Sequence, residues 1–127
     1  MSKYLMLSYG TQADWDAGKA SVGSTAGADQ QFGPADGIAQ ELITSGEFVY
    51  AAGLTDPTHL QTVELRAGST VVTDGPFAEA KEVLASFGIV DVASHDRALE
   101  IAAKLSGVFG RIEVRPIDGD SDGSVDL

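Results

Sequence analysis

Two groups of residues in this chain have the types and spacing to do chemistry. The first is the run 74–82, Asp-Gly-Pro-Phe-Ala-Glu-Ala-Lys-Glu, in which the carboxylates of Asp74, Glu79 and Glu82 and the amine of Lys81 crowd one corner. Gly75 supplies unusual backbone angles there, and Pro76 fixes its own φ and removes a donor, so the corner is a rigid turn. Asp74 could orient a polar ligand or exchange a proton with it. Gly75, Pro76 and Phe77 would wall the site, Lys81 would face a ligand carboxylate, and Glu79 or Glu82 would act as general base if burial raised its pKa. The second is His59, in a loop after Asp56-Pro57, where an imidazole can move protons near neutral pH. Asp74 and His59 are therefore the catalytic candidates, and Gly75, Pro76, Phe77, Glu79, Lys81 and Glu82 the ligand-binding ones.

Each candidate also has a structural reading. An aspartate before a glycine forms turns by hydrogen-bonding nearby backbone N–H groups. A phenylalanine packs, and neighbouring charges such as Lys81 and Glu82 satisfy one another or water. The other histidine, His95, follows Ser94 and is expected on an exposed helix surface. A metal site from His59, Asp56 and Asp74 lacks the His-x-x-x-His spacing that would support it, so neither metal nor cofactor is expected. There is no phosphate-binding glycine loop of the P-loop or dinucleotide type.

The whole chain narrows the classes further. Its 127 residues fit one domain, and 43% hydrophobic residues with a mean hydropathy of +0.03 describe a folded globular protein. Without cysteine there is no disulfide framework, thiolate nucleophile or thiolate metal site. A net charge of -11 with only eight Lys and Arg argues against nucleic-acid partners. Residues 1–10 do not read as a signal peptide and no stretch reaches membrane-span length, so the expectation is a cytoplasmic protein without a membrane partner. Asp118, Asp120, Asp122 and Asp126 alternate with Gly and Ser, which predicts an acidic flexible tail over 118–127 behind a domain at 1–117.

Elements follow from periodicity. Residues 3–9 form an apolar run expected to be a strand buried on much of both faces. Residues 10–28 read as a loop holding one helical turn, with Trp15 anchoring it to the core. Phe32, Ala35, Ala39, Leu42 and Ile43 predict a helix over 34–45 with Gly46 just past its end. Residues 47–52 predict a strand, 61–66 and 70–73 a hairpin turning at Gly68-Ser69, and 84–92 a buried strand with a bulge at Gly88. Ser94 caps a helix whose stripe is Ala98, Ile101, Ala102 and Leu105 and whose end is expected at Gly107; residues 111–115 form the last strand. With the inserted β-hairpin set aside, the order is βαββαβ, an α+β ferredoxin-like pattern with two helices on one sheet face. The other face predicts a homodimer with facing sheets, a dimeric α/β-barrel type of assembly.

With these pieces placed, the chain resembles the YCII-related superfamily, specifically the group named for its DGPF sequence. Besides Asp74-Gly75-Pro76-Phe77, the likeness rests on residues 4–10, the Ala78-Glu79-Ala80-Lys81-Glu82 continuation, Ile89-Val90-Asp91-Val92 and residues 112–117. It implies a dimeric ferredoxin-like fold. The histidine that the YCII branch carries on its first helix has no counterpart over 34–45, so that catalytic assignment is not carried over. Two functions are then in view. One is a cleft beside Asp74 that binds or transforms a small polar organic molecule; the other is a non-catalytic dimeric regulatory or protein-interaction module.

Overall fold

The computed structural model describes residues 1–16, 35–75 and 82–119. Gly33, Pro34, the glycine- and serine-rich stretch 21–28, residues 76–81 and the acidic residues beyond 119 lie outside the described residues. In chain order the elements are β1 (Ser2–Gly10), α1 (Gln12–Asp16), α2 (Asp36–Ser45), β2 (Phe48–Gly53), a 3-10 turn (Pro57–His59), β3 (Gln61–Arg66), β4 (Ser69–Asp74), β5 (Val83–Val92), α3 (His95–Phe109) and β6 (Ile112–Pro116). β1, β2, β5 and β6 make one antiparallel sheet in the order β2-β5-β1-β6, with β1 bonded on both sides. This mixed α+β architecture is compatible with a ferredoxin-like fold.

Strand geometry decides which side chains meet the helices. Along β1 successive side chains alternate faces, so Tyr4, Met6 and Ser8 are buried while Leu5, Leu7 and Tyr9 are half-buried on the other side. The buried set joins Val90 and Val92 of β5, Leu42 of α2 and Ala98, Ile101 and Ala102 of α3 in one core. Burial on both faces of β1 was expected, but only the helix-covered face is fully closed. On the opposite face Tyr50 and Phe87 lie with ring centroids 5.9 Å apart, and burial together with a hydrogen bond to Glu113 holds the Tyr9 hydroxyl above its ordinary pKa, the hydrogen bond being the larger cause.

Local chemistry sets the helix ends. A reciprocal set of hydrogen bonds between Thr11 and Asp14 starts α1, the Thr11 N–H donating to Asp14 Oδ2 at 2.8 Å and the Asp14 N–H donating to Thr11 Oγ1 at 3.2 Å. Trp15 is only partly buried on this short helix, and its Nε1 has no hydrogen-bond partner among the described residues. Gly46, at φ 82°, closes α2 as predicted. Ile43 is exposed, however, and Ile38 takes its place against the core, because one residue past Leu42 swings about 100° away from the buried stripe. Ser94 Oγ accepts from the Arg97 N–H at 3.1 Å and caps α3. The helix passes through Gly107 and ends at Gly110, whose φ of 81° breaks it, so the expected stop was one turn early.

Among the described residues β3 and β4 pair only with each other, through a turn at Ala67 and Gly68, both with positive φ. Val63 and Val72 oppose one another, with Leu65 on the same face, and all three are largely exposed. Gly88 is in register with both Met6 and Ala51 and is no bulge. The register shifts instead between Ser8 and Tyr9, where Ala85 is the extra residue, and between Phe48 and Tyr50.

One ion pair braces the corner after α2. Arg97 of α3 donates from Nε and Nη2 to the two Glu47 oxygens at 2.9 and 2.8 Å, and the Ser45 hydroxyl adds a third bond. The Glu47 carbonyl also accepts from the Asp91 N–H of β5. The guanidinium hydrogen bonds lower the Glu47 pKa from 4.5 to about 2. A depressed carboxylate stabilises the fold above its unfolded pKa and loses that contribution as pH falls through the folded one. Glu47→Gln is expected to cost about 2 kcal/mol at pH 7, allowing for partial solvent screening, and to flatten the loss of stability between pH 4.5 and 2 in urea titrations.

Candidate functional site

Asp74 is the last residue of β4 and is exposed. It lies opposite Gln61 in the ladder, and its Oδ1 accepts from Gln61 Nε2 at 3.0 Å. Gly75 follows with φ 77°, a conformation that penalises any side chain. Its N–H donates to the Leu60 carbonyl at 2.6 Å, which fixes the corner against the start of β3. Pro76, Phe77, Glu79 and Lys81 lie outside the described residues. Glu82 is exposed, and its Oε1 accepts from Arg111 Nη2 at 2.9 Å, a surface pair of small energetic weight.

Beside this corner is a recess of about 170 Å³, lined by residues from the segment 54–60 and by Val83 and Leu84. Asp56 builds it. Its Oδ1 accepts from the Thr58 N–H at 2.9 Å and caps the 3-10 turn, while its carbonyl accepts from the His59 N–H at 2.9 Å. Gln12 of α1 reaches both carboxylate oxygens, at 3.1 and 3.2 Å. The Thr58 N–H, then Gln12, hold the Asp56 pKa below its ordinary value, and His59 adds a weaker attraction. Pro57 is buried, and the Leu54 N–H donates to the Ala85 carbonyl at 2.8 Å, which pins the wall to β5.

The fold therefore brings His59, Asp56 and Leu60 to one recess, with Gly75 bonded to its edge through Leu60. Asp74 is not among the lining residues and stands one residue before Gly75, opposite Gln61. Gln12 was missed as a site residue, and Asp56 was weighed only as a metal ligand. The Asp-Pro-Thr spelling of a capped turn was the available signal for Asp56, and nothing local marks Gln12. His95 starts α3 and is exposed, its ring centroid 5.6 Å from that of Tyr4. Among the described residues no three His, Asp or Glu side chains gather in a metal-holding group, and no helix is long and apolar enough to cross a membrane.

The family model for the YCII-related domain matches residues 3–118, from the second residue of β1 to beyond the end of β6. The chain belongs to the YCII-related family. An uncharacterized protein of Rhizobium meliloti (strain 1021) is 40% identical over 83 residues, spanning 63% of this chain and 67% of that protein. Both elements that build the recess, the segment 54–60 and the start of β5, fall inside the YCII-related match.

The positive φ of Gly75 makes a prediction. Among the described residues a Cβ there would meet nothing within 4 Å, and the cost of Gly75→Ala comes from its backbone conformation. It is expected at about 1 kcal/mol in denaturant unfolding, with the fold retained.

Proposed function

We propose that this YCII-related protein binds a small polar organic molecule in the recess beside Asp74 and exchanges a proton with it through His59. The observation that carries the reading is the recess of about 170 Å³ in which His59 and the ionised Asp56 share a wall with Leu60, the residue bonded to the Gly75 corner. In this reading the Asp74 carboxylate orients a donor or cationic group of the ligand at the rim, and Asp56 keeps the turn beneath His59 rigid. A ligand bearing an amine, amide or hydroxyl group suits the two carboxylates better than an anion. A cysteine-free chain also suits the reducing cytoplasm, the compartment this reading assigns.

The test is a thermal-shift screen of small amines, amides and hydroxy compounds against the native protein, Asp74→Asn and His59→Gln. Compounds that raise Tm by several degrees are expected to lose at least tenfold in affinity in each variant. Equal stabilisation of all three proteins would contradict the assignment.

A second copy of the chain completes the proposal. The sheet face opposite the helices presents Leu5, Leu7, Phe87 and Tyr50, and the β6 edge carries Glu113 and Arg115, charges of both signs that can pair across a two-fold axis. The same face supports a second reading, a dimeric interaction module without catalysis, and the exposed Val63, Leu65 and Val72 favour a protein contact on the β3–β4 pair. Sedimentation velocity at micromolar concentration is expected to show a dimer. A stable monomer would overturn the facing-sheet assembly.

A further inference from the structure

A different, partly open cavity lies between the sheet and the helices α2 and α3. It measures about 70 Å³, and the described residues that line it are mostly apolar, with Ala39 and Leu42 from α2, Leu105 from α3 and Ile112 from β6 among them. Besides Tyr50, two serines interrupt that lining. Ser8 of β1 and Ser86 of β5 are cross-strand partners, 4% and 6% exposed, and their Oγ atoms are hydrogen-bonded to each other.

The count of protons on this pair matters. A bond between two hydroxyls uses one O–H as donor, and the second O–H is left for another acceptor. Both serines line the cavity, so an acceptor placed there is within their surroundings. Water alone fills the space poorly. The volume is several times the ~10–15 Å³ that admits one water molecule, yet each water needs about 2–4 polar partners, and the lining side chains other than the two serines are almost all apolar. The backbone leaves the space open without steric need: a Cβ on Gly88, which also lines the cavity, would come no nearer than 3.7 Å to the Tyr50 carbonyl and 3.8 Å to Ala51 Cβ, ordinary contact distances.

We propose that this cavity is a binding site for a short-chain carbonyl compound, its carbon skeleton against the α2 and α3 side chains and its oxygen accepting the spare hydroxyl of the Ser8–Ser86 pair. The site is separate from the recess at His59; no residue lines both.

Butanone and its oxygen-free isostere 2-methyl-1-butene test the proposal, followed through the methyl resonances of Ile38, Leu42, Leu105 and Ile112 of the full chain. Butanone is expected to shift these methyls saturably and to bind at least fivefold more tightly than the alkene. Ser8→Ala combined with Ser86→Ala removes both O–H donors and with them that preference, whereas either single variant, which leaves one O–H free to donate, keeps it. Gly88→Ala, which adds a methyl to the wall, weakens both probes while keeping the dispersion of a folded spectrum. Absence of saturable shifts with either probe overturns the site. Equal affinity of the two probes for the native protein overturns the role of the serines.

Discussion

The architecture depends on the position of β1, a strand bonded on both edges and packed against the helices on one face. Because side chains alternate along it, one register commits Tyr4, Met6 and Ser8 to the helices and Leu5, Leu7 and Tyr9 to the other side. A slip of one residue would exchange the two sets. The core of Val90, Val92 and Ile101 thus exists only in this register, and so does the meeting of Ser8 with Ser86. The extra residue at Ala85 shifts the pairing just beyond those serines, and the carbonyl of Ala85 receives the Leu54 N–H that closes the end of β2.

From that frame the recess follows. β2 ends at Gly53, and the chain must travel from the sheet to the separate β3–β4 pair. The Asp56 cap makes the passage a tight 3-10 turn rather than an open loop, which fixes where the His59 backbone lies. The Leu60 carbonyl then receives the N–H of Gly75 at the far end of the β3–β4 pair. The two ends of an excursion through β3 and β4 are joined by one backbone hydrogen bond. Functional side chains on such a segment are placed by backbone bonding at its base more than by their own packing.

Much of this was legible in the chain. A continuous apolar run identified β1, alternation identified β3 and β6, Ser94 and Gly46 announced helix ends, and the order of elements pointed to the antiparallel α+β sheet. Gly107 misled because a helix interior tolerates a glycine at modest cost, whereas Gly110 is at φ 81°, where the helix cannot continue. Gly88 misled for a related reason: a glycine in a strand can mark a bulge or a gap in packing, and residue type alone does not separate the two.

The site was legible only by residue type. Asp74, Gly75 and His59 stood out as chemistry-bearing residues, but their neighbours are set by pairing between distant segments. Gln12 meets Asp56 across 44 residues, and Ser8 meets Ser86 across 78. No local pattern encodes such encounters. The most direct measurement of the central claim is a protein-observed NMR screen with a library of small polar fragments, read at assigned backbone amides. Saturating shifts concentrated on Thr55, Thr58, His59, Leu60, Leu84 and Gly75 are the predicted result; fragments that leave these amides unmoved, or gather on another surface, would contradict it.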